Sequence, residues 1–129
     1  MVTFEETGAI LDDLAAELPQ EFFRHLNGGI VLLPQSKLHS ASTGSHPLYI
    51  MGEYHHEPFG LGRYIAIYYG SFLRVHGADT PQTHRERLRN TLRHEFTHHM
   101  ESLSGECGLE LRDAEVLRAY RGGLAKSSI

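Results

Sequence analysis

The segment that most restricts the fold of this chain is His94-Glu95-Phe96-Thr97-His98, which matches the pattern H-E-x-x-H. It lies inside a predicted long helix. Thr80 provides an N-cap, and Pro81 takes the first helical position, where a missing N–H does no harm. We expect the helix to run to residues 103–104, because Gly105 follows as a stop signal. The chain must therefore fold so that one long helix presents this pattern.

The two faces of the predicted helix differ in character. Residues three or four positions apart share a face, because an α-helix turns about 100° per residue. One stripe is apolar apart from a single histidine: Leu88, Leu92, Phe96, His99 and Leu103. His94, His98 and Glu101 fall on the far side from that stripe. We expect the stripe to be buried in the core while both motif histidines face a cleft.

The spacing of the motif is that of a zinc site. Two histidines at positions i and i+4 lie on one face, so both rings reach a single Zn²⁺. Zinc lowers the pKa of a bound water towards ~7, and the intervening glutamate takes the proton of that water as it attacks a polarised carbonyl. The motif therefore predicts His94 and His98 as metal ligands and Glu95 as the general base of a hydrolase.

The abundance of histidine weakens the motif when it is taken alone. With 10 histidines and 12 glutamates among 129 residues, the pattern arises by chance about 0.07 times per sequence of this kind. His99 accompanies the motif, and the other seven histidines lie without ligand spacing in loops, strands and helix starts. The position of the motif on its helix is therefore what supports the zinc site.

A third protein ligand is needed, because a catalytic zinc usually has three of them and one open position for water. Five acidic residues are candidates: Glu101 on the same helix face, Glu106 and Glu110 in the following turn, and Asp113 and Glu115 at the start of a last helix. If the chain reverses at Gly105, residues 94–98 face residues 112–116. That hairpin favours Asp113, with Glu101 as the main alternative.

The remaining segments predict an α+β domain. Thr3 and Glu6 fit a capping box ahead of an N-terminal amphipathic helix that extends to about Leu18. A small mixed sheet of three to four strands is expected from residues 30–33, 48–51 and 63–69, the last continuing through 72–75. Loops or turns are predicted at residues 36–47 and 55–60, and a short C-terminal helix at residues 111–120.

Composition limits the class of protein further. The net charge of −4 disfavours a general nucleic-acid binder. Cys107 is the single cysteine, which excludes an intramolecular disulfide and a cysteine-rich zinc ribbon. No apolar run approaches the ~20 residues of a membrane span, and no signal peptide is visible at the N-terminus. We expect a single cytoplasmic domain over residues 1–123, a frayed tail at 124–129, and no nucleic-acid or membrane partner.

At these residues the chain resembles the minimal zincin-like metallopeptidases of bacteria, which are small single-domain proteins with an HExxHH motif. Residues 92–99, Leu-Arg-His-Glu-Phe-Thr-His-His, carry the resemblance, while the N-terminal helix and the strand regions match only as patterns. In that family an apolar residue, a Gly and then an Asp follow the motif. Here Met100 matches, Glu101 replaces the Gly, and the turn is delayed to Gly105.

The resemblance implies a zincin-like minimal fold, in which a small sheet packs on the helix that carries the motif. It implies zinc held by His94 and His98, with Glu95 as the base, and it leaves the third ligand open. In such folds an extended peptide commonly pairs with the edge strand beside the metal. Residues 63–69 or 71–75 are the predicted edge strand of this chain.

Two tyrosines at the end of the predicted strand, Tyr68 and Tyr69, are candidate hydrogen-bond donors to an oxyanion. Packing within the sheet is the favoured role for both. His55 and His56 are adjacent, and neighbouring residues of a strand point to opposite faces. We therefore expect that pair to lie in a loop without a metal.

These observations predict a zinc-dependent, peptidase-like hydrolase that acts on a peptide or protein. The alternative is a zinc-binding interaction module with little or no turnover, because 129 residues leave little material for two lobes around a substrate cleft. A third alternative is a regulatory or toxin-like partner whose site is used only within a complex. The sequence indicates neither the substrate nor the oligomeric state.

Overall fold

A computed structural model describes residues 1–106, which form an α+β fold. The helices are α1 (Phe4–Glu17), α2 (Tyr69–His76) and α3 (Pro81–Glu106), with a 3₁₀ turn at Gln20–Phe23. The strands are β1 (Gly29–Leu33), β2 (Gly52–Glu57) and β3 (Gly62–Tyr68). The predicted combination of an N-terminal helix, a small mixed sheet and a long helix is confirmed.

The first helix, α1, begins where the sequence predicts. The Thr3 side chain accepts a hydrogen bond from the N–H of Glu6 at 3.1 Å, and the Glu6 carboxylate accepts one from the N–H of Thr3 at 3.0 Å. This capping box satisfies two N–H groups that would otherwise lack partners. Leu11 and Leu14 are buried on the inner face of α1, which packs against α3.

The sheet has three strands in the order β1-β3-β2. β1 runs parallel to the central β3, and β2 runs antiparallel to it. Side chains alternate between the two faces of a strand. Ile65 and Ile67 therefore join the core formed with α1 and α3, whereas Ala66 and Tyr68 lie on the other face. Ile50, which precedes β2, packs on that second face.

The long helix α3 packs against β2 and β3 and carries the motif. Thr80 caps it by accepting a hydrogen bond from the N–H of Thr83 at 3.2 Å. The predicted stripe is buried, with every member at most 1% exposed: Leu88, Leu92, Phe96, His99 and Leu103. Within the described residues the helix runs to Glu106, so Gly105 lies inside it and the predicted end at residues 103–104 is wrong. The predicted separation of a buried face from a face with the motif histidines is thus confirmed.

Gly52 lets β2 approach α3 closely. A Cβ atom at this position would lie 2.8 Å from Cγ2 of Thr91 on α3 and 3.2 Å from Cδ1 of Ile67 on β3. The first distance is too short for two carbon atoms, so any larger residue forces the strand or the helix to shift. The start of β2 is therefore held beside the helix that carries the motif.

The predicted strand at residues 48–51 is wrong, because the strand forms at Gly52–Glu57 instead. Tyr49 makes only an isolated antiparallel bridge with Leu38. Residues 55–60, predicted as a turn, contribute their first half to β2, which pairs residue by residue with β3 across a short turn. Backbone pairing with β3, and not apolar character, determines which residues form this strand.

The predicted continuation of the last strand through residues 72–75 is also wrong, because α2 begins at Tyr69. Tyr69 and Phe72 are buried with the i, i+3 spacing of a helix. The hydroxyl of Ser71, which is completely buried, accepts a hydrogen bond from the N–H of Lys37 at 3.0 Å. These contacts hold α2 against the segment that follows β1.

Parts of the predicted architecture lie outside the described residues. They are the C-terminal helix at 111–120, the domain end at 123 and the tail at 124–129. Within residues 1–106, none of the helices has the length and the apolar character needed to cross a membrane.

Candidate functional site

The two motif histidines converge in front of α3. Nε2 of His94 and Nε2 of His98 lie 3.1 Å apart, and the two rings are perpendicular with centroids 4.7 Å apart. Nδ1 of His94 is buried, so Nε2 is the nitrogen that it presents to a ligand. One helical turn thus brings two nitrogen atoms towards a shared position, as a bound metal ion requires.

The distance between these nitrogens fits a zinc ion. Zn–N bonds of about 2.0–2.1 Å in tetrahedral geometry separate two ligand nitrogens by about 3.3–3.4 Å. The observed distance between Nε2 of His94 and Nε2 of His98 is 3.1 Å. Small rotations of the two side chains are therefore enough to accommodate the ion.

Glu95 lines the same cleft as the two histidines, although it is almost entirely buried, with 3% of its surface exposed. Burial restricts the rotamers that the side chain can adopt. The carboxylate is therefore held in place, where it can accept a proton from a group bound in the cleft.

The described residues do not supply a complete ligand set. Within residues 1–106, no group of three or more His, Cys, Asp or Glu side chains gathers around a common point. Glu101 is exposed and does not line the cleft. Asp113, Glu110 and Glu115 lie outside the described residues, and so does the side chain of Glu106. The third ligand therefore stays a prediction.

The cleft that these side chains line has a volume of about 720 Å³. Residues 37–40, which follow β1, contribute to its wall, and so do residues 52–54 at the start of β2. From α3 come the motif residues and Ser102, one turn after His98. A cleft of this volume is in the range of ligand-binding sites, about 300–1,000 Å³.

β2 borders the cleft and is an edge strand, since within the described residues it pairs only with β3. The N–H of Tyr68 donates to the carbonyl of the residue before β2 at 2.9 Å. By the alternation of antiparallel pairing, the backbone groups of Gly52 and Tyr54 then point away from β3. The prediction of an edge strand at 63–69 or 71–75 is corrected: the first segment forms the central strand, and the second is helical.

A buried hydrogen-bond network fixes α3 beside the motif. Nε2 of His99 lies 2.8 Å from the carbonyl oxygen of Arg24, and Nδ1 lies 2.8 Å from the Tyr54 hydroxyl. Because a carbonyl oxygen only accepts, Nε2 of His99 donates, and Nδ1 accepts the Tyr54 proton. Nη1 of Arg63 donates to the same hydroxyl at 2.9 Å and also to the Ser102 hydroxyl. The network fixes the rotation of α3 about its own axis, so that His98, the residue before His99, faces the cleft.

Burial lowers the pKa of His99 to about 4. The hydrogen bond to the Arg24 carbonyl acts in the opposite direction, and the positive charge of Arg63 adds to the effect of burial. His99 is therefore neutral at pH 7. Protein groups contact both of its ring nitrogens, so it serves to anchor the helix and not to bind metal.

A second polar cluster surrounds Glu53 at the cleft. Oε1 of Glu53 accepts hydrogen bonds from Nζ of Lys37 at 2.6 Å and from the Tyr68 hydroxyl at 2.7 Å, and it lies 3.2 Å from Nε2 of His55. Burial acts to raise the pKa of Glu53, but the hydrogen bonds from Lys37 and Tyr68 outweigh it, so the pKa is lowered. The cluster thus keeps a paired carboxylate at the start of β2.

Neither of the tyrosines considered as oxyanion donors reaches the motif. Tyr68 donates to Glu53, and burial, with that hydrogen bond, raises its pKa. Tyr69 donates to the carbonyl oxygen of Val2. Both hydroxyls are used to hold the fold together, which is the favoured prediction, although Tyr69 lies in α2 and not in the sheet.

The adjacent histidines of β2 differ from the prediction in one respect. His55 and His56 lie in a strand and not in a loop. His55 stacks on Tyr64 with ring centroids 4.8 Å apart. Among the described residues, neither belongs to a cluster that could hold a metal ion.

Sequence patterns do not identify the cleft residues Lys37, His39, Gly52 and Tyr54. Residues 53–57 are polar and lack the alternation that normally marks a strand. The available signal is the turn before β3, because a tight turn ahead of a clear strand predicts an antiparallel partner of similar length. The other cleft residues are placed by contacts between distant parts of the chain.

Comparison with solved protein structures finds a relative of this chain. The chain is similar to the solved structure of a conserved hypothetical protein (TTHA0227) from Thermus thermophilus, with 35% sequence identity and a TM-score of 0.64. The match covers 80% of this chain and 98% of the other. No family model and no curated protein matches the chain.

Proposed function

The chain belongs to the same family as the conserved hypothetical protein from Thermus thermophilus, whose name assigns no activity. From the residues that line the cleft, we propose that this chain is a zinc-dependent, peptidase-like hydrolase with a zincin-like fold. The observation that carries the proposal is the 3.1 Å distance between Nε2 of His94 and Nε2 of His98. It is supported by Glu95, a buried carboxylate in the same cleft.

His94 and His98 hold the zinc ion, and Asp113 is the proposed third ligand. Glu101 is a poorer choice, because it is exposed and outside the cleft lining. When bound, zinc supplies Lewis-acid chemistry that polarises a carbonyl and lowers the pKa of water.

Glu95 acts as the general base. Its carboxylate takes a proton from the attacking water and later passes that proton to the nitrogen of the leaving amine. Burial keeps the side chain in one orientation, so little reorganisation precedes the transfer.

The substrate is proposed to be an extended peptide that adds to the free edge of β2. The outward backbone groups of Gly52 and Tyr54 lie at the cleft, and an extended chain pairs with such groups through main-chain hydrogen bonds. Because Gly52 has no side chain, this edge lies in close contact with α3, so a peptide paired with it would run beside the helix that carries the motif. The cytoplasmic location stays a prediction from sequence.

Metal analysis of the purified protein tests the zinc site. We expect about one zinc per chain in the wild type and in Glu95→Gln, but none in His94→Ala, because only the histidine is a ligand. His46→Ala is the matched control, since His46 is exposed and does not line the cleft. A wild-type protein without zinc after refolding in zinc would refute the site.

Cleavage of a broad peptide library separates a hydrolase from a zinc-binding interaction module. The proposal expects zinc-dependent cleavage that Glu95→Gln abolishes while zinc content stays unchanged. A protein with full zinc that binds peptides without cleaving them would instead be the interaction module.

A further inference from the structure

His39 is placed to contact whatever occupies the cleft. It lies in the segment between β1 and β2, where its N–H donates to the carbonyl of Leu48 at 2.7 Å. The neighbouring Leu38 pairs with Tyr49 in an isolated bridge. These contacts fix the backbone of the segment, and the half-buried His39 side chain lines the cleft together with His94.

The hydrogen bonding of His39 determines which ring nitrogen donates. The backbone N–H of Ala41 donates to Nδ1 of His39 at 3.0 Å. Nδ1 is therefore an acceptor, and the neutral ring must carry its proton on Nε2. Within residues 1–106, Nε2 of His39 makes no hydrogen bond. The ring thus offers one N–H donor to a ligand in the cleft.

Two other donors along the cleft, Tyr54 and Lys37, already have partners. The hydroxyl proton of Tyr54 goes to His99, and Lys37 forms an ion pair with Glu53 at 2.6 Å. His94 and His98 are the proposed metal ligands, which present nitrogen lone pairs and not protons. Among the described residues, His39 is therefore the ring N–H that remains for a substrate oxygen.

We propose that His39 donates its Nε2 proton in a hydrogen bond to the carbonyl oxygen of the scissile peptide group. As water adds to the carbonyl carbon, a C–O bond forms, the π electrons move to the carbonyl oxygen, and Glu95 takes one proton from the water. The hydrogen bond strengthens as negative charge develops on that oxygen. The C–N bond then breaks, and Glu95 returns the proton to the leaving nitrogen. The assignment rests on the proposed function.

Steady-state kinetics of zinc-loaded His39→Ala and His46→Ala test the role of His39. Both histidines lie in the same segment, but His46 is exposed and outside the cleft, where its Nδ1 contacts the hydroxyl of Ser45 at 3.1 Å. We expect kcat of His39→Ala to fall about 10²-fold with KM changed less than about twofold, the loss typical of one oxyanion donor. His39→Gln keeps an amide donor and is expected to recover part of kcat, whereas His46→Ala stays at the wild-type value.

Two readouts do not depend on turnover. A phosphinic peptide, whose tetrahedral anionic group resembles the reacting carbon, is titrated into each zinc-loaded variant by calorimetry. We expect its Kd to rise about 10²-fold for His39→Ala and to be unchanged for His46→Ala. Two-dimensional ¹⁵N–¹H spectra of the free wild type are expected to identify His39 as the Nε2–H tautomer, with His39→Ala providing the assignment.

The outcomes distinguish this inference from the proposed function. If the wild type cleaves peptides or binds the phosphinic peptide, but His39→Ala behaves like His46→Ala, the role of His39 is wrong and the hydrolase proposal stands. An Nδ1–H tautomer also overturns the role of His39. If the zinc-loaded wild type neither cleaves peptides nor binds the phosphinic peptide, the proposed function fails, and the role of His39 falls with it.

Discussion

The Tyr54 hydroxyl is the central atom of the network that anchors α3, and Tyr54→Phe removes it alone. The hydroxyl donates to Nδ1 of His99 at 2.8 Å and accepts from Nη1 of Arg63 at 2.9 Å. The substitution therefore leaves Nδ1 of a completely buried histidine without its donor. It also removes one of the acceptors of a buried guanidinium.

The expected cost follows from these two contacts. A buried acceptor that loses its partner costs about 1–3 kcal/mol, and a hydrogen bond to a charged group contributes about 1.5–3 kcal/mol. Contacts that share one atom are not additive, so we expect the free energy of unfolding to fall by about 2–4 kcal/mol. That is a large part of the 5–15 kcal/mol or so that stabilises a typical domain.

Urea denaturation of the metal-free protein, followed by circular dichroism, measures this loss. Tyr49→Phe is the matched control, because Tyr49 is partly buried but its hydroxyl makes no hydrogen bond within residues 1–106. We expect the control to change the free energy of unfolding by less than about 0.5 kcal/mol. A Tyr54→Phe protein as stable as Tyr49→Phe would show that this network does not hold α3.

Three further predictions concern packing, metal binding and pH. Gly52→Ala is expected to lower the free energy of unfolding by about 1–3 kcal/mol, because its Cβ would lie 2.8 Å from Cγ2 of Thr91. Thr91→Ser removes that methyl group, so a double-mutant cycle measured by urea denaturation should show that part of the loss is recovered. Zinc at about 100 times its Kd should stabilise the wild type by about 2.7 kcal/mol in thermal unfolding, but not His98→Ala. Burial lowers the pKa of His84 in the folded state, so the unfolded state binds more protons as the pH falls below ~6.5. The contribution of His84 to stability is therefore complete above that pH, and it is lost as the pH falls towards the lower pKa of the folded state. Urea titrations at several pH values should show that the free energy of unfolding depends less on pH in His84→Gln than in the wild type.

Each of these predictions has an opposing result. If Thr91→Ser does not relieve Gly52→Ala, the cost of the added methyl group is not steric at that contact. Stabilisation of His98→Ala by zinc would mean that the metal binds elsewhere. An unchanged pH dependence in His84→Gln would assign it to other groups.

Local patterns in the sequence are sufficient to predict the helices that carry the candidate site. The capping box at Thr3 and the N-cap at Thr80 involve residues close in the chain, so both helix starts can be predicted and are found. The i, i+4 spacing of His94 and His98 fixes their shared face, because helix geometry alone sets it. The buried stripe follows from the same periodicity.

The sheet could be predicted only in part. The strands predicted at residues 30–33 and 63–69 are both found, except that Tyr69 begins α2. β2 is polar, and it becomes a strand because the turn before β3 places its backbone opposite that strand. The segment 69–76 is helical because its buried residues follow helical spacing, which short apolar runs do not reveal.

Local helix geometry is enough to predict that one helix buries an apolar stripe and presents two histidines and a glutamate at zinc-binding spacing. The surroundings of these residues depend instead on contacts between distant parts of the chain. The free edge of β2, the donor at His39 and the anchor from Tyr54 to His99 all depend on residues that are far apart in the sequence; Tyr54 and His99, for example, are 45 positions apart. Such contacts depend on how the chain packs, and no spacing along the sequence specifies them.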